Sequence, residues 1–493
     1  MACHHDEVSR LRLVLPALAA AVLAVPALAS CTASSSANTG PGTVDRASTG
    51  STASARASSA GVDEVTALVK DRFGAVTKGD RTAWLAALAP DVGDAARTTQ
   101  GRIFDRMRAM GVTDLRVVSI AVPGPPSATT SATPMSAAAT STTATSTAAA
   151  STAATSTTPT STAATSTAAT STTAANDIRA RLTATYRLGG FDTSPRTFVV
   201  DLALEADPRA SNGATGAGPT PRLRSWDPAE RLQPWDLAGL RVRRTADALL
   251  LVVGPQARLD ELDRHVRAAA RNVSAVWGRS EPSVWVAPGT DDDAARLLGR
   301  TAAAMTRVAA VTDGPLEPGE SAGADRIVVA PTPWSGLSGV GRDVVLTHEL
   351  THASVRATTT RSVPDWLAEG FAELVAYRTV TLPERQVVAP ALDLVRTQGL
   401  PTALPTDAAF DPATGRLEAA YGLALLAVRE LADRKGMPGL VRLYREAAGG
   451  LPAPTASLGD PEAVTDLALE RAGTDRATLV RQWRSRIASL TAQ

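Results

Sequence analysis

The hydrophobic pattern predicts an α+β protein built from two folded units. Three observations carry that expectation. Residues 61–122 read as three helices followed by a strand, and further alternating segments follow later in the first half. From about residue 254, short β-branched runs are interleaved with helix-period segments. The last third is helical in period almost throughout. A length of 493 residues also exceeds one compact domain, even with low-complexity stretches set aside.

Taken in order, residues 31–60 are Ser, Thr, Ala and Gly with almost no large apolar side chains, and read as a flexible tether. Residues 62–73 form an amphipathic helix, Lys78-Gly79-Asp80 a turn, residues 83–88 a second helix and residues 103–110 a third. Residues 115–122 alternate as a strand. Residues 123–176 then repeat S-T-A-A-T-S-T-like units without hydrophobic periodicity, a composition that cannot bury a core. Strand patterns resume at 180–188, 197–205, 223–226 and 249–253, so the first unit is expected to span 61–253 with 123–176 as an insert. The second unit is expected over 254–493. It has helices at 259–276 and 294–305, strands at 283–287 and 326–330, and then a helical lobe.

The densest chemistry lies in His348-Glu349-Leu350-Thr351-His352, an H-E-x-x-H pattern, followed by Trp366-Leu367-Ala368-Glu369-Gly370-Phe371-Ala372-Glu373. On a helix, residues four apart share a face, so His348 and His352 can reach one ion. Glu349 projects beside them as a candidate general base. Glu369 offers a third ligand, and three protein ligands with one water are the arrangement of a catalytic zinc. Asp343 is the expected N-cap of the first helix, and Ser362-Val363-Pro364 the start of the second. Of five histidines, His4 and His5 fall in an expected leader, so two of the remaining three lie in the motif. The third, His265, sits in a charged helical face and reads as solvated. Glu373 lies four residues after Glu369 in apolar surroundings, and is expected to orient a ligand histidine through a hydrogen bond. Tyr421 lies in an apolar helix over 417–426 and is a candidate donor to an oxyanion, set against an ordinary core tyrosine with its hydroxyl at the surface.

The pair H-E-L-T-H and W-L-A-E-G-F-A resembles the gluzincin metallopeptidases, the thermolysin- and aminopeptidase-N-like group, and within it the broad peptidase MA-like set. The resemblance covers roughly 255–490 and is concentrated in 343–376. It implies Glu369 as the third zinc ligand, a small mixed sheet with a substrate-binding edge strand at 326–330, a helical C-terminal lobe, and a tyrosine facing the metal. The spacer between His352 and Glu369 is slightly shorter than is usual in aminopeptidase-N-like enzymes. No G-x-M-E-N segment precedes the motif and no W-x-G-N follows it, so exopeptidase activity is not expected. The element order of the first unit resembles the NTF2-like cone of helices and a curled antiparallel sheet.

At the N-terminus, Arg10 and Arg12 precede an apolar run over 13–28, the pattern of a secretory leader whose two prolines and modest length argue against a permanent span. Leu28-Ala29-Ser30-Cys31 resembles a bacterial lipobox, which implies lipidation of Cys31, removal of residues 1–30 and display at the outer face of the cell membrane. The only other cysteine, Cys3, would leave with the leader, so no internal disulfide is expected. A net charge of +1 without basic runs argues against a nucleic-acid partner. The expectation is a membrane-tethered zinc peptidase acting on peptide or protein substrates. The alternative is a non-catalytic lipoprotein, a ligand-binding or scaffold module with a vestigial zinc site.

Overall fold

Alternation with period two puts Ala180, Leu182, Ala184, Tyr186 and Leu188 on one buried face, and such a face needs a layer of helices to cover it. A computed structural model describes residues 51–122, 177–206, 221–315, 319–450 and 460–492. In it, helices α1 (Ser51–Lys78), α2 (Arg81–Ala86) and α3 (Asp94–Met110) supply that layer. Strands β1 (Val112–Ala121), β2 (Asp177–Leu188), β3 (Arg196–Ala206) and β4 (Pro221–Pro228) form an antiparallel sheet in sequential order. The interior is packed with aromatic rings: Tyr186 and Trp235 meet at 4.7 Å, Phe198 and Trp235 at 5.3 Å, and Trp84 and Trp226 at 6.0 Å. α1 starts at Ser51, inside the stretch expected to be a tether. The leader, Cys31 and the 123–176 insert lie outside the described residues.

The second sheet has the order β5-β6-β7-β9-β8. Its strands are β5 (Leu240–Arg244), β6 (Ala248–Val253), β7 (Ser283–Ala287), β8 (Ala310–Asp313) and β9 (Arg326–Val329). β6 and β7 are parallel, joined by α4 (Gln256–Trp277). The expected boundary at 253 is therefore wrong, because residues 240–253 belong to this sheet. The reason lies in the sequence of β6, an unbroken apolar run that suits a strand covered on both faces. Leu250 and Val252, with Trp285 and Ile327, pack toward the C-terminal helices. Leu249 and Leu251, with Val284, Val286 and Val328, share a cluster with the first unit. The two units are thus fused through one sheet.

Two further expectations are corrected. Residues 294–305 are not one helix: α5 (Asp291–Leu298) stops at Gly299, whose φ of +64° ends it before the short α6 (Ala302–Met305). The sheet edge is not β9 but β8, which pairs antiparallel with β9 on its one strand neighbour side. After α7 (Pro331–Ser335) come α8 (Gly339–Arg356) and α9 (Asp365–Tyr377). The lobe continues with α10 (Glu384–Val387), α11 (Ala389–Gln398), α12 (Leu417–Arg445), α13 (Pro461–Arg471) and α14 (Arg476–Ala492). α9 lies very close to α12 at Gly370, where a Cβ would sit 2.5 Å from the carbonyl oxygen of Ala424.

Candidate metal centre

α8 is capped by Ser338, whose hydroxyl accepts from Gly341 N at 3.1 Å, one and a half turns before the expected cap. Asp343 lies inside the helix, and its carboxylate meets His265 Nδ1 at 2.7 Å. His265 is accordingly buried, edge-on to Trp334, and not solvated as expected: its own helix packs this face against α8. Leu346 and Leu350 anchor α8 in the core, which fixes the rotation that presents His348, Glu349 and His352. α9 starts after Pro364, at the expected place, and buries Trp366, Leu367, Phe371 and Val375. Its rotation turns Glu369 and Glu373 toward α8.

Three candidate ligand atoms converge. His348 Nε2 and His352 Nε2 are 3.0 Å apart, and each lies 3.2 Å from Glu369 Oε2. Glu373 Oε1 is 3.0 Å from His348 Nδ1, the orienting contact expected of it. Tyr421 is 3% exposed, with its ring edge-on to His348 at 6.0 Å and to Phe410 at 5.6 Å. The alternative of a surface hydroxyl on a core tyrosine does not hold for a residue so enclosed. Glu349 is 1% exposed. Its Oε2 accepts a hydrogen bond from Thr312 Oγ1 at 2.7 Å, while its Oε1 is buried without a hydrogen-bond partner.

The electrostatics follow from this crowding. Burial alone would lower His348, but the hydrogen bonds it donates to Glu369 and Glu373 outweigh it and raise its pKa to about 10. Burial alone would raise Glu369, yet His352 and His348 hold it down to about 2. Burial pushes Glu349 up, opposed by the two histidines and Thr312. Burial also pushes Tyr421 well above the usual phenol range. The centre thus demands positive charge among its three donors, two of them buried and His352 half-buried.

A divalent cation meets that demand. Zinc bonds of about 2.0–2.2 Å set tetrahedral ligands about 3.3–3.5 Å apart, within a few tenths of the separations found here. Two imidazoles and one carboxylate are also the donor chemistry of a hydrolytic zinc site. The residues present fit the group, and these three form the candidate metal cluster among the described residues.

Thr312 escaped the sequence reading. Val308-Ala309-Ala310-Val311-Thr312-Asp313 before Gly314-Pro315 is a short strand signal, but nothing in it marks a partner for a glutamate 37 positions away. Among the described residues, no helix is long and apolar enough to cross a membrane. Comparison with protein-family models, with curated proteins and with solved structures found no match to this chain.

Proposed function

We propose that this chain is a zinc-dependent peptidase of gluzincin type, carried on an NTF2-like N-terminal unit and tethered to the outer face of the cell membrane through Cys31. The observation that carries this reading is the meeting of His348 Nε2, His352 Nε2 and Glu369 Oε2 within 3.2 Å, beside the half-satisfied carboxylate of Glu349. When bound, zinc would act as a Lewis acid on the scissile carbonyl and acidify water at neutral pH.

The protein's own groups supply the remaining steps. Thr312 holds one Glu349 oxygen, which leaves the other to accept a proton from the attacking water and hand it to the departing amine. Burial of Glu349 favours that exchange, because a raised pKa brings the base nearer to working pH. Glu373 fixes the ring of His348, and the phenol of Tyr421, packed against that ring, donates to the developing oxyanion. An extended peptide laid along the outer side of β8 would run past Thr312 and so past the base. The non-catalytic alternative would use the cleft lined by Leu88, Ile103, Trp226 and Leu232 of the N-terminal unit.

The decisive experiment pairs metal analysis with one substitution. Purified protein should hold about one zinc per chain, as the three-ligand group found among the described residues requires. It should cleave members of a mixed peptide library. Glu349→Gln should keep the zinc and lose at least about 10²-fold in rate. Full activity in that variant would refute the assignment of the base.

A further inference from the structure

β8 is four residues long and has a single strand neighbour, so little within its own sheet fixes it. It nevertheless carries the hydroxyl that holds Glu349. Val311 points toward the cluster shared with the first unit, and the period of two turns Thr312 to the opposite side, onto α8. Beside its pairing with β9 and the bond from Arg356 Nη2 to Gly314 O at 3.1 Å, this strand is held by the N-terminal unit. The turn between β2 and β3 is built into the β8–β9 hairpin: Thr193 N and Ser194 N both donate to Gly323 O, at 2.8 and 3.2 Å. A side chain at 323 would strike Ser194 N at 2.6 Å, so only glycine admits the turn. Arg196, at the start of β3, donates through Nη1 to Asp313 O and Ala324 O, both at 3.1 Å, and its Nη2 pairs with the Asp313 carboxylate. Arg231 adds a second bond to that carboxylate at 3.3 Å. The pair of Arg196 with Asp313 is only 12% and 18% exposed, far from a solvated surface pair. Asp313 is the residue next to Thr312.

We propose that the N-terminal unit is a positioning device for the base. Arg196 clamps the end of β8, and the clamped strand sets the Thr312 hydroxyl on Glu349 Oε2 so that Oε1 faces the reacting water. This inference rests on the hydrolytic reading above. Thr312 and Arg196 are positioning residues: the Thr312 hydroxyl acts through Glu349, and Arg196 acts only through β8. The first unit is then not a detachable binding module but part of the catalytic apparatus.

The test uses the full-length zinc-loaded chain with a pool of quenched fluorescent peptides. Thr312→Val keeps the shape of threonine and removes the hydroxyl. It should lower kcat about tenfold with KM and zinc content unchanged, and Thr312→Ser should recover most of the loss. Arg196→Ala should also lower kcat, and the double variant Arg196→Ala with Thr312→Val should be no slower than Thr312→Val alone, since both act through one hydrogen bond. Arg196→Lys, which keeps charge but cannot fork onto two carbonyls, should fall between. Amide hydrogen exchange in β8 should quicken in Arg196→Ala, a readout independent of turnover. The inference is overturned if Arg196→Ala loses thermal stability but keeps kcat, or if the two substitutions multiply. It is equally overturned if Thr312→Val is as active as wild type while Glu349→Gln is dead, an outcome that leaves the peptidase reading standing. A wild type that cleaves nothing would sink the peptidase reading, and this inference with it.

Discussion

Arg326→Met should destabilise the fold by about 3–5 kcal/mol, the cost of stranding one member of a buried ion pair. Arg326 and Asp192 are 3% and 1% exposed and meet through two parallel bonds, both 2.7 Å. The pair joins β9 to the β2–β3 turn, so it is both buried and at the junction of the two units. Methionine matches much of the arginine stem but leaves the Asp192 carboxylate with the Leu188 N–H, at 2.6 Å, as its remaining partner. Against a total stability of about 5–15 kcal/mol, the loss is a large fraction. Urea unfolding followed by tryptophan fluorescence would measure it, since tryptophans lie in both units. With a slope of about 3 kcal/mol/M, the midpoint should fall by about 1–1.7 M. Adding Asp192→Asn to Arg326→Met removes the stranded charge and should restore part of the loss, a coupling of about 2 kcal/mol. A single-variant cost under about 1 kcal/mol, the value of an exposed pair, would refute the reasoning. So would strict additivity in the double variant.

Other expectations concern the metal centre and its packing. His348→Ala and His352→Ala should each abolish zinc retention through a desalting column, with the unaltered chain as reference. Glu373→Gln should weaken zinc affinity by about 10–100-fold in a competitive chelator titration, because the carboxylate that orients His348 Nδ1 is replaced by a weaker acceptor. Gly370→Ala should lower the thermal midpoint, at a cost of about 1–3 kcal/mol, because its methyl group would meet the Ala424 carbonyl oxygen at 2.5 Å. Unchanged melting there would mean that α9 and α12 can separate freely. Chelation should also lower the melting temperature, and added zinc should restore it, since an ion held only by the folded state at 1,000 times its Kd contributes about 4 kcal/mol. Identical melting curves with and without chelator would argue that the centre holds no ion.

The sequence read alone was informative where the physics is local. His348 and His352 share a face because a helix repeats every 3.6 residues, and Glu349 follows its neighbours onto the same helix. The strands β2 and β3 were legible in the alternation of Ala180 to Leu188 and of Phe198 to Leu204; that they pair came from the structure. Where short apolar runs met, local pattern failed. Leu249–Val253 was grouped with the first unit by its place in the chain, although its unbroken apolar run suits the doubly covered sheet it joins. His265 looked solvated because its sequence neighbours are charged, while its partners Asp343 and Trp334 come from elements more than 60 positions away. Strand order shows the same limit. The resemblance implied β9 as the edge, whereas β8, four residues that declare no period, pairs outside it.

From the chain alone came an α+β composition and the shared face of His348 and His352, which follow from periods along one backbone, while Glu369 as a third ligand followed from the resemblance of its motif. Only the tertiary structure decided that Glu369 meets both imidazoles, that Thr312 holds the base, and that the first unit grips the strand beside it. Those contacts join segments whose proximity depends on how whole layers pack, and packing direction is not written in any local period.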